Sequence, residues 1–105
     1  MSIVAAKRIL KIEPVTPLES CDPNCDGIDV MLYLADGRIY QFEVATPNVI
    51  YEWMRDEQSG YLLWPPQVFV AKLTFQNISA AFHELIKEEN NELFDILGTP
   101  QVFTA

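Results

Sequence analysis

The chain has 105 residues, half of them hydrophobic, which is enough for a single domain with its own core. Fifteen acidic residues against seven basic ones leave a formal net charge of −8, and such a surface repels phosphate backbones and anionic headgroups. No apolar run approaches the ~20 residues of a bilayer span, so neither nucleic acid nor a membrane is expected as a partner.

The N-terminus, MSIVAAKRILK, carries its charges after its apolar residues, the reverse of a secretory signal, so a cytoplasmic location is expected. Thiols stay reduced there, and two cysteines make no disulfide framework. Lys7, Arg8 and Lys11 are the one basic cluster, with no aromatic residues interleaved to form a stacking platform. Residues 3–13 read as a first strand, with Val4, Ala6, Leu10 and Ile12 on one face and Arg8 interrupting it. A short amphipathic helix is the rival reading. Pro14, Pro17 and Pro23 then exclude regular structure as far as Gly27.

Residues 28–44 predict a β-hairpin, IDVMLYL and RIYQFEV around Ala35-Asp36-Gly37. A two-residue turn would pair Val30 with Glu43 and mix the faces. A three-residue loop, Ala35 to Gly37, pairs Ile28 with Val44, Val30 with Phe42 and Leu32 with Tyr40. That register leaves one apolar face and puts Asp29, Met31, Gln41 and Glu43 on the other. It implies a type I turn with Gly37 left-handed at a bulge.

A helix is predicted from Thr46 as N-cap, with Pro47 first inside and Gly60 at the end. Val49, Ile50, Trp53 and Met54 form its apolar stripe. YLLWPP follows as proline-broken extended chain, then a strand over Gln67–Leu73. The next helix, NISAAFHELIKEE, aligns Ile78, Ala81, Phe82, Leu85 and Ile86, with Thr74 or Asn77 as its cap. Glu88-Glu89 would oppose the dipole at its end, so the chain is expected to restart at Asn91 as a short helix closed by Gly98 and Pro100. The sum is a single α+β domain over residues 1–105, a small antiparallel sheet centred on the 28–44 hairpin with two to three helices on one face.

Chemistry is sparse. Asp22, Asn24, Asp26 and Gly27 match the first half of a calcium loop, and Asp29 could add an oxygen. The match stops there, because Tyr33 stands where the bidentate glutamate belongs and lies inside a strand. A turn rich in Asp, Asn, Pro and Gly explains the same residues. Cys21 and Cys25 are spaced C-x₃-C, and with His83 alone they fall short of a four-ligand zinc site. No G-x-S-x-G and no glycine-rich phosphate loop occurs, and the adjacent carboxylates Asp56-Glu57 and Glu88-Glu89 diverge on a helix. An enzyme is therefore the third choice, and nothing in the chain requires a cofactor.

Two features point to protein binding instead. Tyr51, Tyr61, Leu62, Leu63, Trp64, Pro65 and Pro66 form an aromatic, proline-broken segment of the kind enriched at interfaces. Glu84, Glu88 and Glu92 would make an acidic stripe if the helix continued, able to meet a basic surface or the Lys7-Arg8-Lys11 segment of a second copy. The leading expectation is a non-enzymatic domain acting as a homo-oligomer, a dimer, or with a protein partner. The alternative is a small-ligand or metal-binding protein using the Cys21–Asp29 loop through Asp22, Asn24, Asp26 and Asp29.

Overall fold

The computed structural model describes residues 7–56, 61 and 66–101. The hairpin is its spine. Strands β2 (Gly27–Leu34) and β3 (Ile39–Ala45) pair antiparallel, with Ile28 opposite Val44, Val30 opposite Phe42 and Leu32 opposite Tyr40. This is the register that apolar pairing predicts. The loop closes through Leu34 N–H donating to Arg38 O at 2.9 Å and Gly37 N–H donating to Leu34 O at 3.0 Å. Gly37 has φ +96°, a left-handed backbone open to glycine without penalty.

Strand β1 (Ile9–Pro14) adds antiparallel to β2. Its pairing slips by one residue between Ile9 and Lys11, so Leu10 is a bulge and points into solvent. The expected Leu10–Ile12 face is thereby corrected: Ile9 and Ile12 pack on the core, because the bulge changes the phase of the alternation between them. Residues 3–6 of the predicted strand lie outside the described residues.

Helix α1 (Pro47–Asp56) starts directly after Thr46, which is fully buried, and turns Val49 inward with Ile50, Trp53 and Met54 half-buried. Its predicted end at Gly60 falls outside the described residues. The predicted strand over 67–73 shrinks to β4 (Val68–Phe69). It pairs parallel with Val44 and Ala45, the one parallel pair among the described residues, whose other strand pairs are antiparallel. The helix between β3 and β4 makes that direction possible, since parallel neighbours need a crossover rather than a tight turn. The ladder is short for a local reason. β3 becomes α1 two residues past Ala45, so β4 runs out of partner after Val70 N–H donates to Ala45 O at 3.0 Å.

Helix α2 (Phe75–Leu85) is capped by Thr74, whose hydroxyl accepts from Asn77 N–H at 3.2 Å. Ile78, Phe82 and Leu85 are its buried stripe, with Ala81 and Ile86 packed alongside. It stops four residues before the predicted Glu89. A 3-10 turn over Glu88–Asn90 follows, and α3 (Asn91–Leu97) restarts where expected. The acidic stripe of Glu84, Glu88 and Glu92 is therefore broken across three elements. Gly98 does not simply terminate the chain's last element. β5 (Thr99–Pro100) follows it and pairs antiparallel with Tyr40 and Gln41. β4 and β5 thus share one edge of β3.

The result is the expected α+β architecture of a small sheet with three helices. One core joins Ile28, Val30, Leu32, Leu34, Phe42 and Val44 of the hairpin to Ile78, Phe82 and Leu85 of α2 and Phe94 of α3. Phe42 sits edge-on to both Phe82 and Phe94, with centroids 4.9 and 5.3 Å away, a favoured aromatic geometry. Among the described residues no helix is long and apolar enough to cross a membrane.

Candidate functional site

The calcium-like loop is built around its own backbone. Asp22 Oδ1 accepts from Asn24 N–H at 2.9 Å, Asp26 Oδ1 from Gly27 N–H at 2.9 Å, and Asp26 Oδ2 from Asp22 N–H at 3.3 Å. The loop is then tied down from outside. Thr46 N–H donates to Asp26 O, Leu73 N–H to Pro23 O, and the Asn48 amide to Asn24 O. These are the bonds of a turn that must enter a strand at Gly27. Asp29 lies beyond it, on β2. Among the described residues no three His, Cys, Asp or Glu side chains are placed to share a metal ion.

Cys21 and Cys25 are both free thiols. Burial, and then the nearby Asp26 and Glu19 carboxylates, push the Cys21 thiol up from its ordinary pKa. Cys25 is also raised, by burial first and then by the Glu52 carboxylate that it bonds. Both effects keep sulfur protonated and weaken it as a nucleophile or metal ligand. The imidazole of His83 is turned to its own helix, with Nδ1 2.8 Å from Ser79 O and 3.3 Å from Ser79 Oγ.

On the sheet face away from α2 and α3, Asp29 and Glu43 stand directly opposite each other. They line a cavity of about 320 Å³ with Thr16, Trp53 and Gln67. Neither carboxylate has a cationic partner among the described residues. Glu43 Oε2 and Gln67 Oε1 are shut off from solvent with no donor among the described residues. Farther along that face, Lys11 pairs with Glu13 at 2.5 Å and Tyr33 O–H donates to Glu13 at 3.3 Å.

The predicted aromatic interface is placed in part. Tyr51 is 71% exposed on α1 and Tyr61 is 65% exposed. Pro66 is exposed beside Ile96 and Leu97 in a shallow hollow of about 210 Å³. Leu62, Leu63, Trp64 and Pro65 lie outside the described residues.

A larger apolar surface was not expected from the sequence. β4 and the α2–α3 pair enclose a groove of about 390 Å³ whose walls are Val68, Phe69, Ala81, Leu85, Leu93 and Leu97. Glu84 lines it at one side, and its carboxylate is held by Lys87 at 2.7 Å. Phe69 and Leu93 keep 56% and 47% of their surface in solvent, although they stand on regular elements beside the core. Leu97 also borders the hollow that contains Pro66 and the 63% exposed Ile96, so the two depressions adjoin. Phe69 falls in a strand whose short ladder hides its pattern. Leu93 falls on a seven-residue helix too brief for a clear stripe. Their only sequence signal is being large and apolar next to core residues.

No family model, no curated protein and no solved structure matches this chain.

Proposed function

We propose that the chain is a non-enzymatic binding domain that engages protein through the groove between β4 and α2–α3. One observation supports this reading: Phe69 and Leu93 expose large apolar side chains around a concave apolar floor, and Ile96 exposes another in the adjoining hollow. Contiguous patches of this kind on small proteins mark interaction surfaces more often than isolated exposed leucines do. Pro66 lies in the adjoining hollow, which shares Leu97 with the groove.

Sedimentation velocity tests the self-associating form. A concentration-dependent shift that Phe69→Ser with Leu93→Ser abolishes supports it. A photo-crosslinking residue at position 93, compared with the same residue at the exposed position 19, tests the partner form. One defined adduct at 93 alone supports it. A strict monomer with equal, diffuse labelling at both positions overturns the proposal.

A further inference from the structure

We infer that the occupant of this groove is a segment of a partner protein with apolar side chains on one face and lysine or arginine beside them. This rests on the groove being a protein-binding surface, and it adds the chemistry of what binds.

The argument is one of charge around an apolar floor. The stretch from Glu84 to Leu97 that forms one wall carries Glu84, Glu88, Glu89, Glu92 and Asp95 against Lys87 alone. Lys87 is already engaged with Glu84. Glu88, Glu89, Glu92 and Asp95 are all exposed and have no ion-pair partner among the described residues. On the strand side the nearest basic residue is Lys72, three positions beyond Phe69. Glu84 lines the groove itself, and Glu88, Glu89, Glu92 and Asp95 stand exposed on the same stretch of chain, with Lys7 and Lys87 the cations beside it, so a ligand that fills the groove with apolar side chains lies next to a wall of net negative charge. Cationic flanks gain from that field and acidic flanks lose.

A second copy of the chain fits this requirement poorly. It brings its own net charge of −8. Its basic cluster is also partly committed: Lys7 bonds Asn91 and lies over the Phe94 ring, and Lys11 pairs with Glu13. A separate basic, amphipathic segment meets both the apolar and the electrostatic condition, in the manner of helix-in-groove recognition.

The test uses three labelled synthetic peptides and the full chain, read by fluorescence anisotropy. One is an amphipathic leucine–lysine helix, one a scramble of the same composition, and one its leucine–glutamate counterpart. The amphipathic basic peptide is expected to bind saturably and about tenfold or more tighter than the scramble. Leu93→Ser or Phe69→Ser should remove that advantage, and both side chains are exposed, so an unchanged melting temperature confirms the fold. Glu88→Lys with Glu92→Lys should weaken the basic peptide and flatten its salt dependence. Equal binding of helix and scramble means only general attraction to an acidic protein and overturns the inference. So does equal binding of the leucine–glutamate peptide. A partner crosslinked at position 93 that carries no basic residues leaves the groove reading standing and removes this one.

Discussion

The ring of Phe42 closes over Gly98 so tightly that a methyl group at that glycine would meet Cζ at 2.6 Å. The backbone at Gly98 is not the constraint, since its φ of −94° suits any residue. The constraint is the ring, which Phe82 and Phe94 hold on two other sides. Gly98→Ala should therefore destabilise the fold by about 1–3 kcal/mol, the usual cost of overpacking a filled core. Phe42→Leu should recover part of that loss in the double variant, and urea unfolding of the four-member cycle measures the coupling.

Gly37 resists substitution for the opposite reason. Nothing lies within 4 Å of where its side chain would be, but its φ is +96°. Gly37→Ala should cost about 1 kcal/mol through backbone strain alone, and Gly37→Asn should cost less, because asparagine tolerates left-handed turns better. Equal melting temperatures for the alanine and asparagine variants would contradict this account.

Asp29 and Glu43 face one another across β2 and β3 as like charges. Directly opposed like charges weaken a sheet by roughly 0.2–1 kcal/mol. Glu43→Gln should raise the urea midpoint at neutral pH, with the gain shrinking in high salt. A midpoint that falls instead would show that the carboxylate makes a contact the amide cannot replace.

The two thiols should react slowly and differently. Burial and neighbouring carboxylates raise both pKa values, so both sulfurs are protonated at neutral pH and iodoacetamide should modify them more slowly than a free cysteine. Glu52 acts on Cys25 and not on Cys21, so Glu52→Gln should speed only Cys25, as mass spectrometry of timed digests can resolve. The sign of the linkage follows. A raised thiol pKa in the folded state means that the unfolded chain loses its proton first. The thiols' contribution to stability is complete below the ordinary thiol range and is lost as pH rises through the folded values. Cys21→Ser with Cys25→Ser should lessen the alkaline loss of stability.

The sequence disclosed the hairpin because its period-2 pattern has only one register with a clean face, and the turn residues agreed with it. The α2 stripe was equally plain, since Ile78, Phe82 and Leu85 recur at helical spacing over about two turns. β5 left no such mark. Thr99–Pro100 is two residues long, contains a proline and becomes a strand only by pairing with Tyr40 and Gln41, with Gln101 N–H donating to Ile39 O at 2.9 Å just beyond it. The bulge at Leu10 was hidden by an apolar side chain where the alternation seemed to want one. The groove was least visible, because Phe69 and Leu93 are far apart in the chain and define a surface only after β4 and α3 reach their places. The Cys21–Asp29 loop gave the strongest motif, and its oxygens are spent on the turn itself.

The shared edge of β3 also has a kinetic meaning. Residues 9–45 join neighbours in the sequence and can form early by short loop closures. β4 and β5 reach the same strand from much farther along the chain, and each contributes only a two-residue ladder. β4, one wall of the groove, therefore joins the sheet only through such long-range pairs, which close more slowly than local ones. A chain that has closed the hairpin but not the β3–β4 pair carries the sheet without the wall on which a partner would land.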